Sequence, residues 1–187
     1  MHTQVRAIWS VPGGGTGYSV FNLQGAVGAV TVGTCLGHLR TFFNALVARI
    51  PNEVTVAFDP EFTHHDPSGG LVAAGTAAVP ATVNGTYAGG WVGAAGARID
   101  WETATVINKR RIRGRTYLVP LGAIFDTDGS LLPAEQTSIT NAANTLLVNL
   151  QGAAAPLVVW SKVNAAEVLV VSPSVRDKSA VLRSRRE

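Results

Sequence analysis

The fold class is decided by the segment GHLRTFFNALVARI, residues 37–50, together with the pattern that follows it. Its apolar residues repeat at helical spacing and line one face: Leu39, Phe43, Leu46, Val47 and Ile50. Pro51 ends this helix, and EVTVAF at residues 53–58 then alternates with the two-residue period of a strand. A helix with one apolar face beside such a strand predicts a helix packed on a β-sheet.

On the N-terminal side, two strand patterns flank a glycine-rich break. Residues 3–11 (TQVRAIWSV) and 18–23 (YSVFNL) are predicted strands, and PGGGTG at residues 12–17 predicts the loop of a hairpin between them. Residues 25–36 are rich in Gly, Ala, Thr and Val, a composition that favours a strand or an extended arm.

On the C-terminal side, residues 66–98 are rich in Gly and Ala, and we expect short strands and turns there because glycine is costly inside a regular element. Residues 99–107 and 115–121 are predicted strands that bracket a basic cluster. This arrangement predicts a hairpin with residues 108–114 at or near its turn.

A second helix is predicted over residues 133–150, because Pro133 suits a first helical turn and Gly152 suits a helix stop. Its predicted buried stripe consists of Ile139, Ala143, Leu146, Leu147 and Leu150. Strands are predicted beyond it at residues 157–160 and 168–171.

The order of these elements predicts an α+β fold: a mostly antiparallel β-sheet domain with two amphipathic helices and extended arms. Residues 1–171 are expected to form a single domain with the Gly/Ala-rich insertion near 66–98, and residues 172–187 a basic C-terminal arm.

The composition indicates a protein that contacts other proteins. Of 187 residues, 47% are apolar and 14% charged, whereas roughly 25% charged is average for soluble domains. So little charge covers a monomer poorly, which indicates that part of the surface faces other protein. The sequence shows no membrane-spanning stretch and no signal-peptide layout at its start, so we expect synthesis in the cytosol and no membrane partner.

The net charge of +3 conceals a strong local concentration of cations. Ten of the fifteen basic residues lie in two short segments: Lys109, Arg110, Arg111, Arg113, Arg115, Arg176, Lys178, Arg183, Arg185 and Arg186. Because arginine dominates, contacts with carboxylates or phosphates are favoured over mere solubility, although a solvated turn is an alternative for residues 109–115. We therefore interpret these ten residues as candidates for an interface or for anion contact.

No residue pattern predicts catalysis, a cofactor, a metal ion or a small-molecule substrate. His64-His65-Asp66 is interpreted as a polar loop, because adjacent strand residues do not converge on one ion. The glycines at residues 13–17 lack the Lys and the following helix of a phosphate-binding loop. Cys35, the single cysteine, lies in an apolar setting that predicts a buried thiol. We expect a protein that is not an enzyme.

The segment RRIRGRTYLVPL, residues 110–121, resembles a part of uncharacterised virion proteins of tailed bacteriophages. In those proteins an Arg-rich R-G-R-x-(F/Y)-L stretch ending in Pro precedes an Asp-Gly turn and a helix. The further matching features are the opening at residues 5–14, the turn at 126–129, the helix start at Pro133, the strand at 158–160 and the basic tail at 177–186.

The resemblance implies a virion component, located in the particle after synthesis in the host cytoplasm. The leading expectation is a structural subunit of a tail or neck, assembled in symmetric copies through contacts with itself and with other virion proteins. A capsid decoration or vertex protein is the first alternative. The second is a nucleic-acid-binding module, in which the Arg-rich segments contact DNA.

Overall fold

The computed structural model spans the chain and describes residues 1–11, 15–66, 68–88, 95–101, 105–107, 110–112, 119–120, 132–153 and 163–170. The helices in this part are α1 (Ala29–Ala45) and α2 (Pro133–Ala153), with a short 3₁₀ turn at Val47–Arg49. The strands are β1 (His2–Val11), β2 (Gly15–Gln24), β3 (Thr55–Phe58), β4 (Glu61–His65), β5 (Leu71–Thr76), β6 (Val83–Asn84), β7 (Ala95–Trp101), β8 (Thr105–Ile107), β9 (Arg110–Ile112), β10 (Val119–Pro120) and β11 (Val163–Val170). The predicted α+β class with a mostly antiparallel sheet is confirmed.

The first two strands form the predicted hairpin. β1 and β2 pair antiparallel over their whole length, from His2 opposite Gln24 to Val11 opposite Gly15. Alternate residues along a strand are buried, for example Val5 and Ala7 of β1, as the two-residue period of a half-buried strand requires.

The other side of β1 is shared lengthwise by two strands. Residues 2–4 of β1 pair with β4, and residues 7–10 pair with β3, both antiparallel. β5 then pairs with β4, and β6 with β3. The six strands therefore form four antiparallel rows: β2, β1, β3 with β4, and β5 with β6. Asp59 and Pro60 separate β3 from β4, because proline cannot donate to the ladder.

Helix α1 packs into the main core and begins earlier than the sequence predicts. The expectation of a strand or arm over residues 25–36 is wrong, because the helix starts at Ala29 rather than near residue 37. Its buried side chains are Val32, Cys35, Leu36, Leu39, Phe42 and Phe43. Burial of that continuous face outweighs the low helix propensity of Val, Thr and Gly, which costs up to about 1 kcal/mol per residue.

Helix α2 packs against α1 and is present where it was predicted, with Ile139, Ala143, Leu146 and Leu150 buried. The side chain of Leu147 lies outside the described part. Gly152 lies within the last helical turn and does not end the helix, which continues to Ala153.

The basic segment lies in the predicted hairpin region. β8 pairs antiparallel with β9, and Val119 of β10 pairs with Ala97 of β7, which also pairs with β11. Residues 110–112 were expected at the turn but form strand β9, with Arg110 opposite Ile107. The predicted turn at 108–114 is therefore too long. The predicted strand at 157–160 and the predicted arm at 172–187 lie outside the described residues.

Candidate assembly surface

One of the two outer rows of the six-stranded sheet, the row opposite β2, presents a backbone edge at β5 that no further described strand covers. Among the described strands, β5 pairs with β4 alone. The amide of Ala77 donates to the carbonyl oxygen of Pro60 at 2.9 Å. Because pairing groups alternate along an antiparallel strand, Gly75 and Ala73 face β4, whereas Ala74 and Thr76 direct their N–H and C=O groups to the open side.

This edge carries few of the features that usually protect one. Edge strands are commonly blocked by Lys, by Pro or by a bulge. Here Ala73 pairs with His64 and Leu71 with His65, so Val72 is an extra, bulged residue at the start of the strand. The remaining residues, Ala73-Ala74-Gly75-Thr76, are small, uncharged and regularly paired. A further strand can therefore approach them closely.

The sequence around β5 is free of charge over a long interval. Residues 67–97 contain no Asp, Glu, Lys, Arg or His. Within it, Leu71 is 66% exposed and Val72 is 54% exposed. Large apolar side chains with this exposure are typical of a protein contact when they lie on an edge that no other described strand pairs and without charge nearby in the chain. This uncharged interval is the feature of the sequence that indicates the surface.

Gly75 anchors the edge to the core. A Cβ atom at Gly75 would lie 2.5 Å from the ring of Phe62, so the absence of a side chain lets that ring lie over the strand. Phe62 is 5% exposed. The edge is thus held in a fixed position by a buried aromatic residue.

An open apolar groove continues from the end of β5. Its walls are the first turns of α1 and the chain after β5, and it is lined by Ala29, Val30, Gly33, Thr34 and residues 76–80. Val30 is 87% exposed and Val79 46% exposed. We use the name β5 surface for the open edge, residues 71–76, together with this groove.

Carboxylates lie at both ends of the β5 edge. The Asp66 carboxylate accepts hydrogen bonds from the Ser68 hydroxyl at 2.6 Å and from the Gly70 amide at 2.8 Å. These bonds, the one from Ser68 first, hold the pKa of Asp66 below its usual value. Exposed Glu61 lies opposite Thr76 at the other end. Within the described part of the chain, neither carboxylate forms an ion pair, whereas Arg6 is paired with Asp59 at 2.9 Å.

The histidines beside this edge are not in the predicted polar loop. His64 and His65 belong to β4, and β1 fixes them by pairing with that strand. Nδ1 of His64 lies 2.9 Å from the hydroxyl of Thr3. The ring of His65 stacks on His2 with centroids 5.2 Å apart. Burial, and then His65, lower the pKa of His2.

A metal or thiol site finds no support in the described geometry. The residues that the structure describes contain no group of three or more His, Cys, Asp or Glu side chains placed to hold a metal ion. Cys35 is buried, as predicted, and burial raises its pKa to about 11. A thiol of that kind packs as a small apolar side chain.

Two of the ten basic candidates fall in the described part of the chain. Arg110 and Arg111 lie on β9, where they pair with Ile107 and Val106 of β8. The other candidates lie outside the described residues: Lys109, Arg113, Arg115, Arg176, Lys178, Arg183, Arg185 and Arg186. The contacts of the ten residues therefore stay a prediction.

Comparisons with protein families, with characterised proteins and with solved structures find no match to this chain. Neither described helix has the combination of length and apolar character that crossing a bilayer requires.

Proposed function

We propose that this chain is a structural subunit of a tailed-phage virion, a tail or neck component that assembles in symmetric copies through protein–protein contacts. The observation that carries the proposal is the β5 surface: an open, uncharged strand edge continuous with an exposed apolar groove. The resemblance of residues 110–121 and of the chain opening to virion proteins supports the same role.

The physical case is that this edge is more stable when it is covered. A strand added to β5 hydrogen-bonds the outward groups of Ala74 and Thr76 and shields Leu71 and Val72 from water. Left open, the same edge is a site for unspecific aggregation. In an assembled protein a neighbouring subunit covers the edge, so unspecific strand addition is prevented.

Two further contacts belong to this proposal. Residues 172–187 are an extended arm that lies on a neighbouring subunit, since Val175, Val181 and Leu182 are too few to anchor it alone. Arg110, Arg111, Arg113 and Arg115 meet carboxylates, either Asp100 and Glu102 or acids of an adjacent copy.

Virion proteomics and sedimentation of the purified chain test the proposal together. We expect the chain in purified particles, and an oligomer in solution that Ala74→Lys disrupts, because a Lys on the edge blocks strand addition. Asn44→Lys adds the same charge on an exposed position of α1 and serves as the matched control. A stable wild-type monomer that is also missing from particles contradicts the proposal.

The position in the particle separates a tail or neck subunit from a capsid decoration or vertex protein. Labelling the chain in intact particles and locating the label by electron microscopy decides between them. Signal confined to the capsid surface or vertices would replace the tail or neck assignment with that alternative.

Binding to DNA at two salt concentrations tests the nucleic-acid alternative. Phosphate contacts release counterions, so a true DNA-binding protein loses affinity steeply with salt. We expect weak binding by the wild type and by a variant with Arg110, Arg111, Arg113 and Arg115 changed to Ser, and loss of assembly in the variant. Tight, salt-steep binding that this variant loses while assembly survives would favour the nucleic-acid function.

A further inference from the structure

The two ends of the β5 edge differ in charge from its centre, and this limits what can bind there. Asp66 lies just before the strand, and Glu61 lies opposite its last residue, Thr76. Between these carboxylates the edge is uncharged. A second β5 edge would bring the same acids close together in either orientation. The edge is therefore complementary to a strand that is uncharged at its centre and cationic at both ends.

The chain itself contains one such segment beyond the last described strand. Residues 178–183 read Lys-Ser-Ala-Val-Leu-Arg, so four uncharged residues stand between two cations. Lys178 and Arg183 are five strand steps apart, as are the first and last residues of β5. At about 3.3 Å per step, both segments span roughly 17 Å. Val181 and Leu182 would add apolar side chains to an edge on which Leu71 is 66% exposed and Val72 is 54% exposed.

The segment is long enough to reach another subunit. β11 ends at Val170, which leaves residues 171–187 beyond it. Fully extended, these residues reach about 55 Å. A compact chain of this size has a radius of gyration of about 16 Å. An arm of that reach can leave its own subunit and bind the next one.

From this complementarity we propose that residues 178–183 of a second copy bind the open edge of β5 as an added strand, with Lys178 and Arg183 at its two acidic ends. The inference rests on the proposed assembly function and names its contact. An arm given by each copy to the next is a heterologous contact, which closes into a ring when the rotation between copies allows. Each copy then has its β5 edge covered.

Disulfide trapping between full-length chains tests the proposal, and the chain is well suited to it. Its single cysteine, Cys35, is buried, so an introduced surface cysteine is the reactive one. The experiment mixes an Ala74→Cys protein with a Val181→Cys protein under mild oxidation and measures the covalent dimer by mass spectrometry. We expect the mixed dimer to form, with neighbouring cysteine positions 180 and 182 reporting the register.

The controls separate the other occupants of the edge. An Asn44→Cys protein replaces the Ala74→Cys partner and should give at least about tenfold less mixed dimer. A dimer linked through two copies of Cys at position 74 would show that β5 pairs with itself and overturn the proposal. A chain carrying both Ala74→Cys and Val181→Cys that closes within itself at high dilution would place the segment on its own subunit, which also overturns it.

Charge reversal provides an independent measurement. Changing Glu61 and Asp66 to Lys should lower the trapping yield about tenfold, because like charges then meet at both ends of the strand. Adding Lys178→Glu and Arg183→Glu to the partner should restore it. Trapping yields that respond to neither set of substitutions contradict the proposed pairing.

The strand contact and the virion function can fail separately. A chain that forms the trapped dimer but is missing from virions would contradict the virion function alone. A chain that is present in virions but cannot be trapped would contradict the strand contact alone.

Discussion

The face of α1 that packs on the sheet and the β5 edge of that sheet both carry apolar side chains, but they differ in how far these side chains are exposed. Leu39 and Phe43 of α1 are 0% exposed against the sheet, whereas Leu71 of β5 is 66% exposed. The difference is whether the chain itself supplies a cover. Apolar composition alone therefore does not separate the buried core of this protein from its exposed β5 surface.

The largest effect is expected from opening the core beneath α1. Leu39→Ala removes a fully buried side chain, and the lost burial together with the cavity should lower the free energy of unfolding by about 3 kcal/mol. Val30→Ala on the same helix, at a residue 87% exposed, should change it by less than about 0.5 kcal/mol. Urea unfolding followed by circular dichroism measures both. Equal losses in the two variants would show that Val30 is covered in the isolated chain.

A close backbone approach gives the next largest effect. A Cβ atom at Gly85 would overlap the backbone carbonyls of Ile50 and Pro51. The Gly85 amide also donates a hydrogen bond to the carbonyl oxygen of Val54 at 3.0 Å. Gly85→Ala should therefore lower the free energy of unfolding by about 2 kcal/mol. At Gly37 the same Cβ meets nothing within 4 Å, so Gly37→Ala should raise it by up to about 1 kcal/mol through helix propensity. Thermal unfolding of both variants checks the opposite signs.

The sequence predicted what depends on local patterns. The β1–β2 hairpin, the strand before Asp59, and α2 with its buried Ile139 and Leu146 follow from alternation, from helical spacing and from Pro and Gly signals. The start of α1 did not follow, because β-branched residues such as Val32 and small ones such as Gly33 favour strands or loops when judged locally. Their helical state depends on burial against a sheet assembled from distant parts of the chain.

The position of β5 at the edge of the sheet also does not follow from local sequence patterns. Whether β5 is central or peripheral depends on which strands are its neighbours, and that is a property of the whole sheet. The pairing of His64 and His65 with β1 is similarly non-local, whereas adjacent histidines between two prolines predict a loop when they are judged locally. Only the uncharged interval at residues 67–97 was visible in advance, and it indicates a surface without indicating its partner.

A moderate effect is expected where α2 is held to the rest of the core. Arg49 forms an ion pair with Glu135 in the first turn of α2 and donates to the hydroxyl of Ser138 at 3.0 Å. The side chains of the pair are 23% and 25% exposed. A double-mutant cycle of Arg49→Ala and Glu135→Ala should give a coupling free energy of about 1 kcal/mol. A coupling near zero would mean that the apolar stripe alone positions α2.

The smallest effect concerns the histidines that border the β5 surface. The pKa of His2 is lowered, first by burial and then by His65 and the N-terminal amine, while Asp66 opposes the shift. Since the folded chain binds this proton less readily than the unfolded chain, its stability is complete above the ordinary value of 6.5 and falls as the pH drops below it. His2→Gln should reduce that loss, whereas His38→Gln on α1 should leave the part due to His2 in place. Unfolding curves at pH 7.5 and at several acidic values measure the slope. An unchanged slope in His2→Gln would assign the acid sensitivity to other groups, such as Asp66, whose pKa is also lowered in the folded chain.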